Sequence, residues 1–117
     1  ERKSMFSQLA REIQIFGRMV SDLEKMLAES GESPEAAWRA RILIRSAQET
    51  DKELWDKLFH YEKSLQGSDN KGDSDLRKAQ TACMKLHRDF KRVHKSLVLT
   101  LSQFETRQKA EISQLGA

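Results

Sequence analysis

Leu9, Ile13, Phe16, Val20, Leu23 and Leu27 follow one another at intervals of four, three, four, three and four residues, and this rhythm returns in two later stretches. Intervals of this kind place one apolar row along one side of an α-helix. Three such rows in one short chain have nothing to bury against except one another. The second row is Ala37, Ala40, Ile44, Ala47, Asp51, Leu54, Leu58, Tyr61 and Leu65; the third is Leu76, Ala79, Cys83, Leu86, Phe90, Val93 and Leu97. A four-residue step then leads to Leu101, Phe104, Gln108, Ile112 and Leu115, an insertion of the type that locally unwinds a supercoil.

The breaks between rows carry their own chemistry. Gly31 is expected just past the end of the first helix, where freedom at positive φ is useful. Ser33 followed by Pro34 reads as an N-cap with proline at the first helical position, where a missing N–H costs nothing. Gly67-Ser68-Asp69-Asn70-Lys71-Gly72 reads as a loop, with Asp73 or Ser74 capping the third helix. The expected helices are residues 4–30, 34–66 and 74–115, about 40, 50 and 60 Å long at roughly 1.5 Å per residue. Short connections make neighbours antiparallel. The fold class is therefore all-α: one domain over residues 1–117, an up-down-up antiparallel three-helix bundle with a longer third helix whose last turns project.

Composition agrees and narrows the function classes. At 117 residues with 33% charged residues, five Gly and one Pro, the chain has one core and too few turn residues for a β fold. The lone cysteine, Cys83, permits no internal disulfide and fits a reducing compartment. No stretch approaches the roughly 20 apolar residues of a membrane span. The sequence begins with Glu rather than Met and reads as a segment of a longer protein. The net charge of +3 is uneven: residues 73–117 hold nine basic and five acidic side chains, and the rest of the chain is balanced to within one.

Candidate sites follow from residues that break the pattern. Cys83 and His87, four apart, can present two ligands to one metal, but no CxxC, no HExxH and no second histidine cluster completes a site. The expectation is no metal and no cofactor, with a buried thiol beside a flanking histidine. His60, His87 and His94 lack a nucleophile and an orienting acid nearby in sequence, so no catalytic residue is assigned. Lys85, Arg88, Lys91, Arg92 and Lys95 fan over the side of the third helix away from its apolar row, with Asp89 the one acid among them. Such a face is either solvated surface or a contact for an acidic protein segment or anionic headgroups. No aromatics interleave with these charges in the manner of a nucleic-acid surface. Trp38 and Ile42 point away from the second row, either as a partner contact or with Trp38 folded over the turn at residues 31–33. Ile15, Met19 and Met26 form a second stripe on the first helix and read as core. Asp51 is an acid inside an apolar row; its expected role is structural, setting register through a basic residue of a neighbouring helix.

The stretches Glu49-Thr50-Asp51-Lys52, Asp89-Phe90-Lys91-Arg92-Val93, Glu105-Thr106-Arg107-Gln108-Lys109-Ala110-Glu111, Leu9-Ala10-Arg11-Glu12-Ile13 and Leu23-Glu24-Lys25-Met26-Leu27 give a further expectation. With three helices in this order, the chain resembles the N-terminal Habc domain of a syntaxin, best in the endosomal and vacuolar branch. The resemblance implies a non-catalytic regulatory module that controls SNARE complex assembly in vesicle fusion. It implies a bundle that folds onto its own SNARE motif, along a groove between the second and third helices, or that recruits other SNARE proteins, Sec1/Munc18-type proteins or tethering proteins. It further implies residence on the cytosolic face of endosomal, vacuolar or Golgi-derived membranes, with membrane attachment only through a C-terminal anchor outside this sequence. Two other helical readings stay open. One is a spectrin-like scaffolding repeat, in which a helix runs unbroken into the next repeat and the first helix carries a Trp; both Trp here lie in the second. The other is the N-terminal domain of another SNARE class. A metal- or phosphate-handling helical bundle would use paired Glu-x-x-His signatures, which the chain lacks.

Overall fold

The structure, a computed structural model, describes residues 2–66 and 71–116. It consists of three helices, α1 (Arg2–Met26), α2 (Pro34–Ser64) and α3 (Lys71–Gly116), with no strand among the described residues. Cross-helix pairs give the topology. Phe6 meets Tyr61 and Glu12 meets Lys57, so α1 and α2 run antiparallel. Asp51 meets His87 and Arg41 meets Glu105, so α2 and α3 are antiparallel too. Phe16 meets Phe90 and Glu24 meets Arg92, which makes α1 and α3 parallel. This is the up-down-up bundle that the three rows require.

The rows face inward as their spacing demands. Leu9, Phe16, Val20 and Leu23 of α1, Ala37, Ala40, Ile44, Ala47, Leu54, Leu58 and Tyr61 of α2, and Ala79, Cys83, Phe90, Val93, Leu97, Leu101 and Phe104 of α3 form one buried cluster. Phe16 and Phe90 meet at its middle, with ring centroids 5.7 Å apart at 59°. Ile13, Leu27, Leu65, Leu76 and Leu86 pack against the cluster from its edges. In the second stripe of α1, Met19 and Met26 join that edge while Ile15 stays on the surface, 37% exposed. Ile15 is thus not the core residue the stripe suggested: one position before the buried Phe16, it stands about 100° around the helix from the core row.

Local signals at α2 act as expected. Ser33 is extended at φ −153° and ψ 157°, its hydroxyl accepts from Ala36 N–H at 3.1 Å, and Pro34 opens the helix. The ends of α1 and the start of α3 differ from expectation. α1 stops at Met26, and residues 27–32 form successive turns held by Glu29 N–H to Met26 O and Glu32 N–H to Glu29 O, both 3.0 Å. Ser30 is thereby fully buried, its hydroxyl donating to Leu27 O at 3.4 Å. Gly31 does not supply positive φ. Its backbone lies outside the left-handed region, and what it supplies is room: a Cβ there would stand 3.3 Å from both Thr100 Cγ2 and Arg107 Nη2. Arg107 Nη2 donates to Gly31 O at 3.1 Å, so the turn is tied to α3.

α3 begins at Lys71, making Lys71 and Gly72 helical rather than loop, and Asp73 sits inside the first turn, where its charge opposes the helix dipole favourably. The remainder of the expected loop, 67–70, lies outside the described residues. Forty-six residues give α3 a length of about 69 Å, close to the 72 Å long axis of the molecule. It outruns the bundle. Past Phe104 the row loses its cover, and Leu115 is 87% exposed.

Leu54 and Phe90 are buried in the core of α2 and α3. Leu54→Ala or Phe90→Ala is expected to lower stability by roughly 2–5 kcal/mol, read from urea melts followed by circular dichroism. A loss under about 0.5 kcal/mol, the range of ordinary surface changes, would show that the rows face elsewhere.

Candidate functional site

The α2–α3 seam differs from the other two because polar groups sit inside it. Asp51 occupies a core position of α2, and its Oδ2 lies 2.8 Å from His87 Nδ1 on α3. The contact joins the two helices through one carboxylate oxygen and one ring nitrogen. The other carboxylate oxygen, Oδ1, is buried with no hydrogen-bond partner among the described residues. The Trp55 ring, one turn further along α2, meets the His87 ring edge-on at 5.9 Å and 87°. One turn before His87, Cys83 is fully buried. Burial, and secondarily the negative charge of Asp51, push its thiol up from 9.0 to about 11. Two turns beyond, His94 stacks on Phe90 at 5.4 Å and 12°.

Thus the Cys83–His87 spacing brings a third group, Asp51, close to the thiol from the opposite helix. Among the described residues, no set of three or more His, Cys, Asp or Glu side chains is placed to hold a metal ion. The basic partner of Asp51 is His87 rather than a lysine or arginine.

Along its solvent side this seam opens into a groove. Trp55, Leu58, Phe59 and Glu62 of α2 face Gln80 and Met84 of α3 around a volume of about 400 Å³. Phe59 is 53% and Met84 55% exposed, unusual for side chains of this size, and Lys63 lies 4.8 Å over the Phe59 ring. Neither residue was singled out in the sequence. The signal that finds them is a second period: Trp38, Arg45, Lys52 and Phe59 on α2, and Arg77, Met84, Lys91 and Val98 on α3, recur every seven residues, and all eight are exposed. A seven-residue period keeps to roughly one side of a helix, and Phe59 and Met84 of these two rows face each other across the α2–α3 groove.

The residues anticipated as partner contacts fall on three distinct surfaces. Lys91 lies on the groove rim, in the Met84–Val98 row. Lys85, Arg88 and Lys95 are exposed on the outer ridge of α3. Arg92 shares that ridge, but its Nη2 donates to Glu24 Oε1 of α1 at 2.8 Å, so it braces the bundle. Trp38 and Ile42 lie elsewhere, together with Arg41, Arg45, Ser46 and Glu49 around an open hollow of about 380 Å³. Trp38 is 62% exposed and is not folded over the turn at 31–33, which is covered instead by Thr100 and Arg107. Arg41 is tied to Glu105, and Glu105 is ten residues, about 15 Å, past Lys95 along α3. The structure therefore does not bring the Trp38 hollow and the basic ridge into one site.

Cys83 offers a direct check of the seam. With the thiol raised to about 11, its thiolate fraction at pH 8 should be about a hundredfold below that of a thiol at 9.0, and alkylation by iodoacetamide should be slowed at least as much. Because the unfolded chain ionises its thiol first, Cys83 should also contribute a loss of stability as pH rises from 9 towards 11, absent in Cys83→Ala. Rapid alkylation of the folded chain at pH 8 would show that the seam is open to solvent.

Compared with protein-family models, with curated proteins and with solved structures, the chain matches none.

Proposed function

We propose that the chain is a regulatory, non-catalytic helical domain of the syntaxin N-terminal type, which controls SNARE complex assembly by receiving a fourth helix along the α2–α3 groove. The observation that carries this reading is the pair of seven-residue rows. They offer apolar contacts at Phe59–Met84 and at Val98 and cations at Arg45, Lys52 and Lys91 that form no ion pair among the described residues, with the row spacing that an incoming heptad helix would match. Its natural occupant is an amphipathic helix with an apolar stripe and acidic flanks, and a SNARE motif of the same parent protein would meet that description. Sec1/Munc18-type or tethering proteins would act by favouring the filled or the empty groove, shifting the balance by their differential affinity. The resemblance in the Asp89–Val93 and Glu49–Lys52 stretches supports the same family, and with it the cytosolic face of endosomal, vacuolar or Golgi-derived membranes. No helix among the described residues is long and apolar enough to cross a membrane.

A spectrin-like scaffold is the second reading, favoured by one observation: α3 runs past the bundle with Ile112 and Leu115 uncovered. The sequence encoded after Ala117 discriminates. A SNARE heptad repeat with a central Gln supports the first reading, and a second three-helix repeat supports the scaffold.

Binding is tested by titrating that SNARE segment into the Trp38→Phe variant, whose remaining tryptophan, Trp55, lines the groove. Its emission should shift to the blue on binding. Phe59→Ala together with Met84→Ala should weaken binding at least about tenfold, as loss of an interface anchor does. Lys91→Glu should weaken it more at low salt than at physiological salt. Unchanged affinity in both variants would sink the groove reading.

A further inference from the structure

The outer ridge of α3 has a pattern that the groove does not use. Lys85, Arg88, Arg92, Lys95 and Leu99 each follow a core residue, respectively Cys83, Leu86, Phe90, Val93 and Leu97, by two positions. Two positions are about 200° around a helix, so this stripe faces directly away from the bundle. Beside it lie Met84, Lys91 and Val98. Between Met84 and Leu99 there are five Lys or Arg and a single acid, Asp89, which is partly buried. Among the described residues, Lys85, Arg88, Lys91 and Lys95 form no ion pair. Large apolar side chains bracket the cluster: Met84 at one end, Val98 and Leu99 at the other, with Leu99 61% exposed.

A solvated helix face ordinarily mixes signs, and the exposed side of α2 does so with Glu49, Lys52, Glu53 and Asp56. The α3 ridge is of one sign and carries exposed aliphatic groups. It is also convex, being the outermost line of one helix in a rod 72 Å long and about 17 Å across. A convex ridge cannot cradle a helix. A plane of negative headgroups suits it: the Lys and Arg stems reach to either side while Met84, Val98 and Leu99 dip between the headgroups.

We propose that the α3 ridge from Met84 to Leu99 is a peripheral membrane-binding surface for anionic lipid, laying the rod along the bilayer. The proposal needs no fourth helix; it shares Met84, Lys91 and Val98 with the groove reading, while Lys85, Arg88, Lys95 and Leu99 belong to the ridge alone.

The test is flotation of the 117-residue chain with phosphatidylcholine vesicles, with and without phosphatidylserine. The chain should float with phosphatidylserine vesicles at low salt, less so at physiological salt, and stay behind with phosphatidylcholine alone. Arg88→Glu with Lys95→Glu should reduce partitioning by at least about tenfold, since each cation near an anionic surface contributes strongly. Both sites are exposed, so circular dichroism should be unchanged. Arg39→Glu with Lys52→Glu makes the same change in net charge on α2 and should leave flotation intact. Leu99→Ser should lower the fraction retained at physiological salt. Absence of flotation at low salt, or equal loss in the α2 and α3 charge variants, would overturn the proposal. So would binding to poly-L-glutamate without flotation, which would assign the ridge to an acidic protein.

Discussion

A carboxylate inside an apolar seam leaves a helix few ways to sit, and Asp51 imposes that constraint on α2. An unpaired buried charge costs on the order of 3–5 kcal/mol, against a total stability of about 5–15 kcal/mol for a domain. Any packing that buries Asp51 away from a donor is therefore unaffordable to a bundle of this size. The His87 contact at 2.8 Å answers the constraint and turns α2 so that Trp55 lies beside the same ring. The pair sets rotation better than it sets translation. His94 is seven residues past His87, so a slip of one heptad would offer Asp51 another imidazole. What opposes the slip is size and charge elsewhere. Ala37, Ala40 and Ala47 leave room for large α3 side chains along the far half of the seam, Arg41 is tied to Glu105, and Arg107 to Gly31.

The same constraint explains why the α2–α3 seam differs from its neighbours. Aromatic pairs close the seams of α1, Phe16 with Phe90 and Phe6 with Tyr61. Between α2 and α3 the corresponding space holds Asp51, His87 and the thiol of Cys83, and the large side chains are displaced to the rim. Phe59 and Met84 stay exposed there. Polar groups in a seam and apolar groups at its lip invert the usual arrangement, and that inversion is the physical basis for reading this face as a place where another helix adds.

The rows were legible in the sequence because a helix face is a local property: each residue reports its own side through its spacing from the next. Ser33-Pro34 was legible for the same reason, since a cap and its helix are adjacent. Gly31 was misread because its reason is not local. It is small for the sake of Thr100 and Arg107, some 70 residues away, and no turn rule contains that distance. Gly72 suggested a loop on propensity, yet the first turn of α3 accommodates it. At the site, Cys83 and His87 showed their spacing on one helix, but Asp51 joins them only through the fold. Phe59, Met84 and Val98 carried a signal in their seven-residue period. That period acquires meaning only once α2 and α3 are known to lie antiparallel, because a row flanks a groove only if another row flanks it from the opposite side.

Lys91 stands where the two proposed surfaces meet, on the groove rim and beside the outer stripe. A helix lying in the groove would take Lys91 for its own acidic flank and leave Lys85, Arg88 and Lys95 still pointing outward. Occupation of the groove would then take Lys91, Met84 and Val98 from the ridge and leave it those three cations and Leu99. Arg92 sharpens the separation, because its contact with Glu24 draws the guanidinium towards α1 and away from the groove. Under both readings the rod would lie flat on an anionic bilayer with its groove open along one flank, within reach of a helix anchored in the same membrane. In that arrangement the surface fixes the long axis of the domain, and two-dimensional confinement raises the effective concentration of the helix at the groove.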